Sequence, residues 1–250
     1  WYKLTMSLFL DLQKCKTKED VKNNIERRDS LIPLDARSFK GAYYTPLKVV
    51  EKAYEVLNAV LGPGWQKEYV VWDPCCGVGN LETKHSNVRN VYMSTLDEAD
   101  IDVMKATKTC VAAERFQYDY LNDDIADDGS IDYSLTNKMP HSLQKVIAEA
   151  KRGKKKILIL MNPPYAEATN ADNIAKDAGS AKNKSGVAKT KVAQYCMQGY
   201  GKATNELFTQ FMAPIGKEIP NAVLAIFSKL KYINGPNFEA FKNMWPSKKN

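Results

Sequence analysis

Lys156-Ile157-Leu158-Ile159-Leu160-Met161-Asn162-Pro163-Pro164-Tyr165 decides the fold class. After one lysine come five apolar side chains in a row, so an extended segment here is buried on both faces. Uninterrupted apolar strands are the mark of a parallel sheet covered by helices on either side. The run then stops on Asn162 and two prolines. The prolines surrender two amide donors and stiffen the turn, leaving carbonyls free to face a ligand. Asn162 offers a side-chain acceptor, and Tyr165 offers a π face for stacking. By composition the tetrapeptide arises on the order of once per thousand chains of this length, taking about 5% Pro. A plain strand-ending turn is its blander reading.

A second strand end lies upstream, where apolar Tyr69–Trp72 runs into Asp73-Pro74-Cys75-Cys76-Gly77-Val78-Gly79-Asn80-Leu81. Glycines after a first strand let a ligand approach the backbone, and an acid there can hold a cationic or hydroxylated group. Helix–strand packing also accounts for a lone G-x-G. A dinucleotide site is the rival, helped by Asp97 twenty residues after Gly77, but position 82 is Glu where the third glycine would fall.

Working outward, Thr45-Pro46 reads as a helix start with Thr as cap. Val49, Val50, Ala53, Tyr54, Leu57, Val60 and Leu61 mark its buried face, and Gly62-Pro63-Gly64 stops it. Strands are expected at Val91–Leu96, Arg115–Tyr118 and Ala222–Phe227. Helices are expected at Glu98–Lys108, His141–Arg152, from Leu207 to Ile215 and after Gly235-Pro236. Strands alternating with helices specify a doubly wound, Rossmann-like α/β sheet. Residues 1–40 read as an N-terminal helical segment, and 41–250 as the main domain. Ala166–Lys202 has little periodicity and reads as one long functional or disordered loop.

Composition narrows the rest. The chain has 250 residues, 44% of them hydrophobic, and 36 Lys+Arg against 29 Asp+Glu for a net charge of +7. Bulk disorder is excluded. The longest apolar run, Ala222–Phe227, is far short of the ~20 residues that cross a bilayer, so no membrane partner is expected. Trp1 begins no signal-peptide pattern, and the chain reads as an internal piece of something longer. Five cysteines without a C-x-x-C pair, and only His85 and His141, read as a reducing cytoplasm with no metal site. Both histidines are expected at the surface. Lys151–Lys156 (KRGKKK) reads as a solvated helix end, and five lysines in 176–191 add to a basic balance that suits a polyanion.

DPCCGVGN at 73–80, NPPY at 162–165 and Gly41-Ala42-Tyr43-Tyr44-Thr45-Pro46 ahead of both resemble one family. They are similar to S-adenosylmethionine-dependent N6-adenine DNA methyltransferases of restriction–modification systems, in the subgroup ordered cofactor motif first. The resemblance spans roughly residues 37–245. It implies a class I methyltransferase sheet, S-adenosylmethionine as cofactor, and a prokaryotic cytoplasmic enzyme acting on a flipped adenine in duplex DNA. Tyr44, Thr45 and Pro46 would flank the methionine moiety. Asp73, Cys75, Gly77, Gly79 and Asn80 would form the cofactor floor. Asp119 would accept from the cofactor's adenine, with Tyr120 against the ring. Asn162 and the Pro163 carbonyl would accept from the target amine across the stiff Pro163-Pro164 turn, and Tyr165 would stack on the target base. The family's ribose-binding acid falls on Thr95, so either Asp97 substitutes from a shifted position or cofactor affinity is weaker. The family fold has seven strands and about five are legible here. The last two, with a target-recognition domain or specificity subunit, are therefore expected outside this chain, leaving DNA methylation feeble and unselective.

The chemistry is coherent without the family. An adenine amine is a poor nucleophile because its lone pair is delocalised into the ring. Two acceptors on its N–H groups favour a pyramidal nitrogen, so catalysis is positioning and electrostatics. A base outside the duplex gains from an aromatic at its edge. Three alternatives stay open at this level: a cytosine-C5 enzyme using Pro74-Cys75, an rRNA or release-factor-glutamine amino-methyltransferase, and a catalytically weak binding module.

Overall fold

The computed structural model describes residues 45–165, 187–228 and 231–244. The expected N-terminal helical segment, Tyr44, and residues 166–186 of the long loop lie outside them. Five parallel strands form one sheet in the order β3-β2-β1-β4-β5: β1 Tyr69–Asp73, β2 Val91–Thr95, β3 Glu114–Gln117, β4 Lys156–Met161 and β5 Val223–Ile226. Helices α1 Leu47–Leu61, α2 Trp65–Glu68, α3 Glu98–Ala106, α4 His141–Lys151, α5 Leu207–Glu218, α6 Lys231–Asn234 and α7 Glu239–Met244 complete it. This is an α/β, Rossmann-like arrangement, with the order reversing between β1 and β4.

Two apolar layers explain why β4 is apolar throughout. Ile157, Ile159 and Met161 face a cluster with Val70, Trp72, Leu143 and Ile147 of α4, and Phe208 and Phe211 of α5. Leu158 and Leu160 face the opposite cluster, with Val71, Val91, Met93, Val50 and Tyr54 of α1, and Met104 of α3. Alternate residues thus enter different cores, and a polar side chain at either set would be buried without a partner. The edge strand β5 is only half-buried, since among the described strands it pairs with β4 alone.

Several local expectations are corrected. Pro46, not Thr45, is the N-cap of α1: its carbonyl accepts from Val49 and Val50, and no side chain caps the helix. The buried stripe of α1 is narrower than expected, with Val50, Tyr54 and Leu57 inside while Val49 and Val60 are 42% and 67% exposed. The second half of the supposed loop is core. Val187, Val192 and Met197 are buried at five-residue spacing, around a π-helical turn at Val192–Cys196. That turn is stitched down by Val192 N to the Leu121 carbonyl and by Lys191 N to Asn122 Oδ1. His85 is also buried, edge-on to Trp65 and Tyr54, and burial lowers its pKa to about 4. KRGKKK is exposed, with Lys151 paired to Glu218 and Lys156 to Glu68. Among the described residues, no helix is long and apolar enough to cross a membrane.

Candidate functional site at the carboxyl ends of the strands

Parallel strands send all their carboxyl ends to one side, and the reversal between β1 and β4 opens a crevice there. A cavity of about 310 Å³ occupies it. Of the residues singled out from sequence, Thr45, Asp73, Cys75, Gly77, Asn80, Thr95, Asp97, Asp119, Tyr120, Asn162 and Pro164 line this cavity. Pro46, Gly79, Pro163 and Tyr165 do not, although Tyr165 reaches the wall through Asn162. Leu96, Asp100, Tyr118, Leu121, Leu207 and Phe211 line it without having been singled out. Leu96 carries the clearest missed signal, a leucine 64% exposed directly after a buried strand.

Thr45 ties the two motif-bearing turns together. Its carbonyl accepts from Asn80 Nδ2 at 3.1 Å, and its Oγ1 accepts from Asn162 Nδ2 at 2.9 Å. The Tyr165 hydroxyl donates to Asn162 Oδ1 at 2.9 Å. With its amide nitrogen held by Thr45, Asn162 turns its oxygen, an acceptor with a second lone pair, away from Thr45. The hydroxyl expected to cap α1 orients the amide of the NPPY turn instead.

At the other end, Thr95 donates from Oγ1 to Asp100 Oδ2 at 3.0 Å. Asp100 reaches the cavity from the first turn of α3, while Asp97 accepts from Ala99 N as the N-cap of that helix. Asp119 accepts from Leu121 N and Asn122 Nδ2, which fixes its carboxylate. Tyr120 stacks on Phe211 with ring centroids 5.2 Å apart and donates to the Phe211 carbonyl.

The electrostatics are one-signed. The charged residues of the lining are Asp73, Asp97, Asp100 and Asp119, with no Lys, Arg or His among them, although the whole chain is at +7. Asp73 is fully buried, with Oδ1 accepting from Cys75 N at 2.8 Å and Oδ2 without a donor. Such a cavity suits a cation. It opposes a pyrophosphate, which also lacks its usual helix N-terminus: the glycine turn leads only to a short 3₁₀ turn at Leu81–Lys84. Cys75 and Cys76 are poor nucleophiles here, because burial and then the Asp73 charge push both thiols well up, away from the reactive thiolate. The glycines divide the work. Gly77 lines the cavity at φ +55°, whereas Gly79, at φ +79°, packs on Met93 and Met104.

No protein-family model matches the chain, and no curated protein matches it. Solved structures do: seven chains match, among them one in a cryo-electron microscopy structure of a DrdV–DNA complex. The two share 14% identity and superpose with a TM-score of 0.57 over 91% of this chain. This chain spans 24% of that chain's length, and at that identity the likeness is one of fold.

Proposed function

We propose that this chain is the cofactor-binding and catalytic portion of an S-adenosylmethionine-dependent N6-adenine DNA methyltransferase. The observation that carries the reading is the meeting, at one switch-point cavity, of an acidic lining without bases and of Asn162 and Pro164 from the NPPY turn. The fold shared with a chain from a DrdV–DNA complex is in keeping with DNA as the partner. The donor set fits the cofactor: a sulfonium and an ammonium group enter a cavity whose charged lining residues are all carboxylates, with Asp73 fully buried at its floor.

S-adenosylmethionine, when bound, supplies an electrophilic methyl on a positively charged sulfur. The chain's own residues do the positioning. Asn162 Oδ1 and the Pro163 carbonyl accept from the two N–H groups of the target amine and turn its lone pair out of conjugation. Thr45 keeps the Asn162 amide in the orientation that makes this possible. Tyr165 gives up its hydrogen bond to Asn162 as the base enters and stacks on it, an interaction worth ~1–3 kcal/mol. Asp119 and Tyr120 would hold the cofactor's adenine, beside Leu96 of the same lining, and a carboxylate would take the ribose hydroxyls.

Asp100 is the better ribose acceptor than Asp97, because Thr95 steers its carboxylate into the cavity while Asp97 serves α3. Asp100→Ala is therefore expected to weaken S-adenosylmethionine binding by about 10–100-fold, the scale of a hydrogen bond to a charged group. Asp97→Ala chiefly costs a helix cap, about 1 kcal/mol of stability. Calorimetric titration of both variants decides, and a larger affinity loss for Asp97→Ala would reverse the assignment.

The overall reading is tested by methyl transfer from labelled S-adenosylmethionine to duplex DNA, tRNA, rRNA and a release factor. Label on adenine N6 of DNA is the expected result, and incorporation only into RNA or protein would sink it.

A further inference from the structure

Asp73 ends β1 and Glu82 sits in the 3₁₀ turn just past the glycine turn; both side chains are fully buried. No donor from elsewhere reaches Asp73 Oδ2 or either Glu82 oxygen, and neither residue joins an ion pair among the described residues. The two carboxyls and the Cys75 thiol act on one another's titration, and a carboxyl-to-carboxyl hydrogen bond exists only when one of the pair holds a proton. We propose that Asp73 and Glu82 share one proton with Glu82 as donor, making Glu82 a positioning residue that clamps the glycine turn and aims the Asp73 carboxylate.

The surroundings favour retention of that proton. Tyr54 of α1 brings a buried hydroxyl with no partner, Cys76 and Cys110 bring thiols, and His85 is kept neutral by burial. Asp100 of α3 adds negative charge beside Cys76. Lys84, two residues past Glu82, pairs with Glu51, and Arg115 of β3 donates to the Thr109 carbonyl. Two unpaired buried carboxylates side by side cannot both ionise near neutrality. Burial accordingly raises Asp73 to about 7, and burial with the Asp73 charge raises Glu82 well above the carboxylate range. The pair spans the turn from its first residue to just past its last, at the position where a dinucleotide site would carry a glycine.

In the unfolded chain both groups ionise near pH 4, so the folded state keeps protons that unfolding releases. Stability then falls as pH rises, by tenfold in the folding constant per pH unit for each retained proton. Below about 7 a second proton binds at Asp73 and both carboxyls contribute; above it only the shared proton on Glu82 does. Glu82→Gln keeps a donor to Asp73 but has no proton to lose. Between pH 7 and 8, with no ligand present, the folding constant of the wild type is expected to fall about tenfold more than that of Glu82→Gln. Urea unfolding of both proteins measures this, and a difference that does not change with pH overturns the proposal. Should the variant not fold, infrared spectra of wild-type protein with ¹³C-labelled glutamate carry the test. They are expected to show the carbonyl stretch of one protonated acid at pH 7.5, and its absence overturns the proposal.

The positioning role rests on the cofactor reading above. A cationic ligand draws the pair toward its ionised form, so S-adenosylmethionine affinity is expected to rise by up to about tenfold from pH 6 to 8. S-adenosylhomocysteine, which lacks the sulfonium charge, is expected to gain less. Equal pH profiles for the two ligands overturn the positioning role. Absence of S-adenosylmethionine binding at every pH sinks the methyltransferase reading instead, and the ligand-free measurement still decides the shared proton.

Discussion

Asn162→Ala is expected to slow methyl transfer by about 10²–10³-fold while leaving S-adenosylmethionine affinity within a few-fold. The size is that of losing one preorganised polar group aimed at developing charge. The selectivity follows from where the side chain acts. On the proposed reading, Asn162 Oδ1 would meet the target amine, whose N–H groups become stronger donors as the nitrogen acquires positive charge, so the interaction would grow toward the transition state. On the same reading, the cofactor's methionine and adenosine parts would meet other residues of the cavity, from Asp73 to Asp119. Single-turnover rates at saturating cofactor, with calorimetric affinities beside them, separate the two effects. Loss of cofactor binding equal to the loss of rate would place Asn162 in the cofactor's own contacts and overturn its role.

Thr45 supplies a control for the same argument. Thr45→Val removes the acceptor that holds Asn162 Nδ2 at 2.9 Å but retains the branched shape, so the amide is freed to turn its nitrogen toward the amine. An intermediate loss of rate is expected, larger than any loss of affinity. Thr45→Ser restores the hydroxyl and most of the rate.

How much of this was legible in the chain depends on what each residue is asked to do. The β4 strand and its NPPY end could be read directly, because burial on both faces leaves no alternation and two prolines leave no continuation. The acidic strand end at Asp73 was legible for the same reason. Asp100 was not: an acid in the first turn of a helix is ordinary dipole chemistry, and nothing in the pattern says that Thr95 turns it into a cavity. Phe211 and Leu207 escaped because an apolar cavity wall and an apolar core use the same residue types. Val187, Val192 and Met197 escaped because their five-residue spacing is that of a π turn and falls out of step with a 3.6-residue search. Thr45 was misread because a hydroxyl before a helix is far more often a cap than a tether to a turn 117 residues away.

The glycine turn is where sequence reading and structure diverge most usefully, and Gly79→Ala is expected to destabilise the fold by about 2–5 kcal/mol. Two costs combine: a side chain in the left-handed region, ~1–2 kcal/mol, and overpacking of a closed core, ~1–3 kcal/mol. An added Cβ would stand 2.4 Å from Met93 Cε, 3.1 Å from Met104 Sδ and 3.2 Å from Thr109 Cγ2. Both methionines are fully buried, so neither tip can swing into solvent. Against a domain stability of typically 5–15 kcal/mol, such a loss is plain in a urea melt. Gly77 lines the cavity at φ +55°, so the larger effect of Gly77→Ala should be on ligand affinity. If Gly79 were kept glycine for the ligand's sake, the two variants would behave alike. A double-mutant cycle sharpens the distinction: Met93→Ala removes the atom that Cβ would strike, so the pair Gly79→Ala and Met93→Ala should cost less than the sum of its parts by ~0.5–3 kcal/mol. Strict additivity would mean that the strain lies in the backbone and not against Met93.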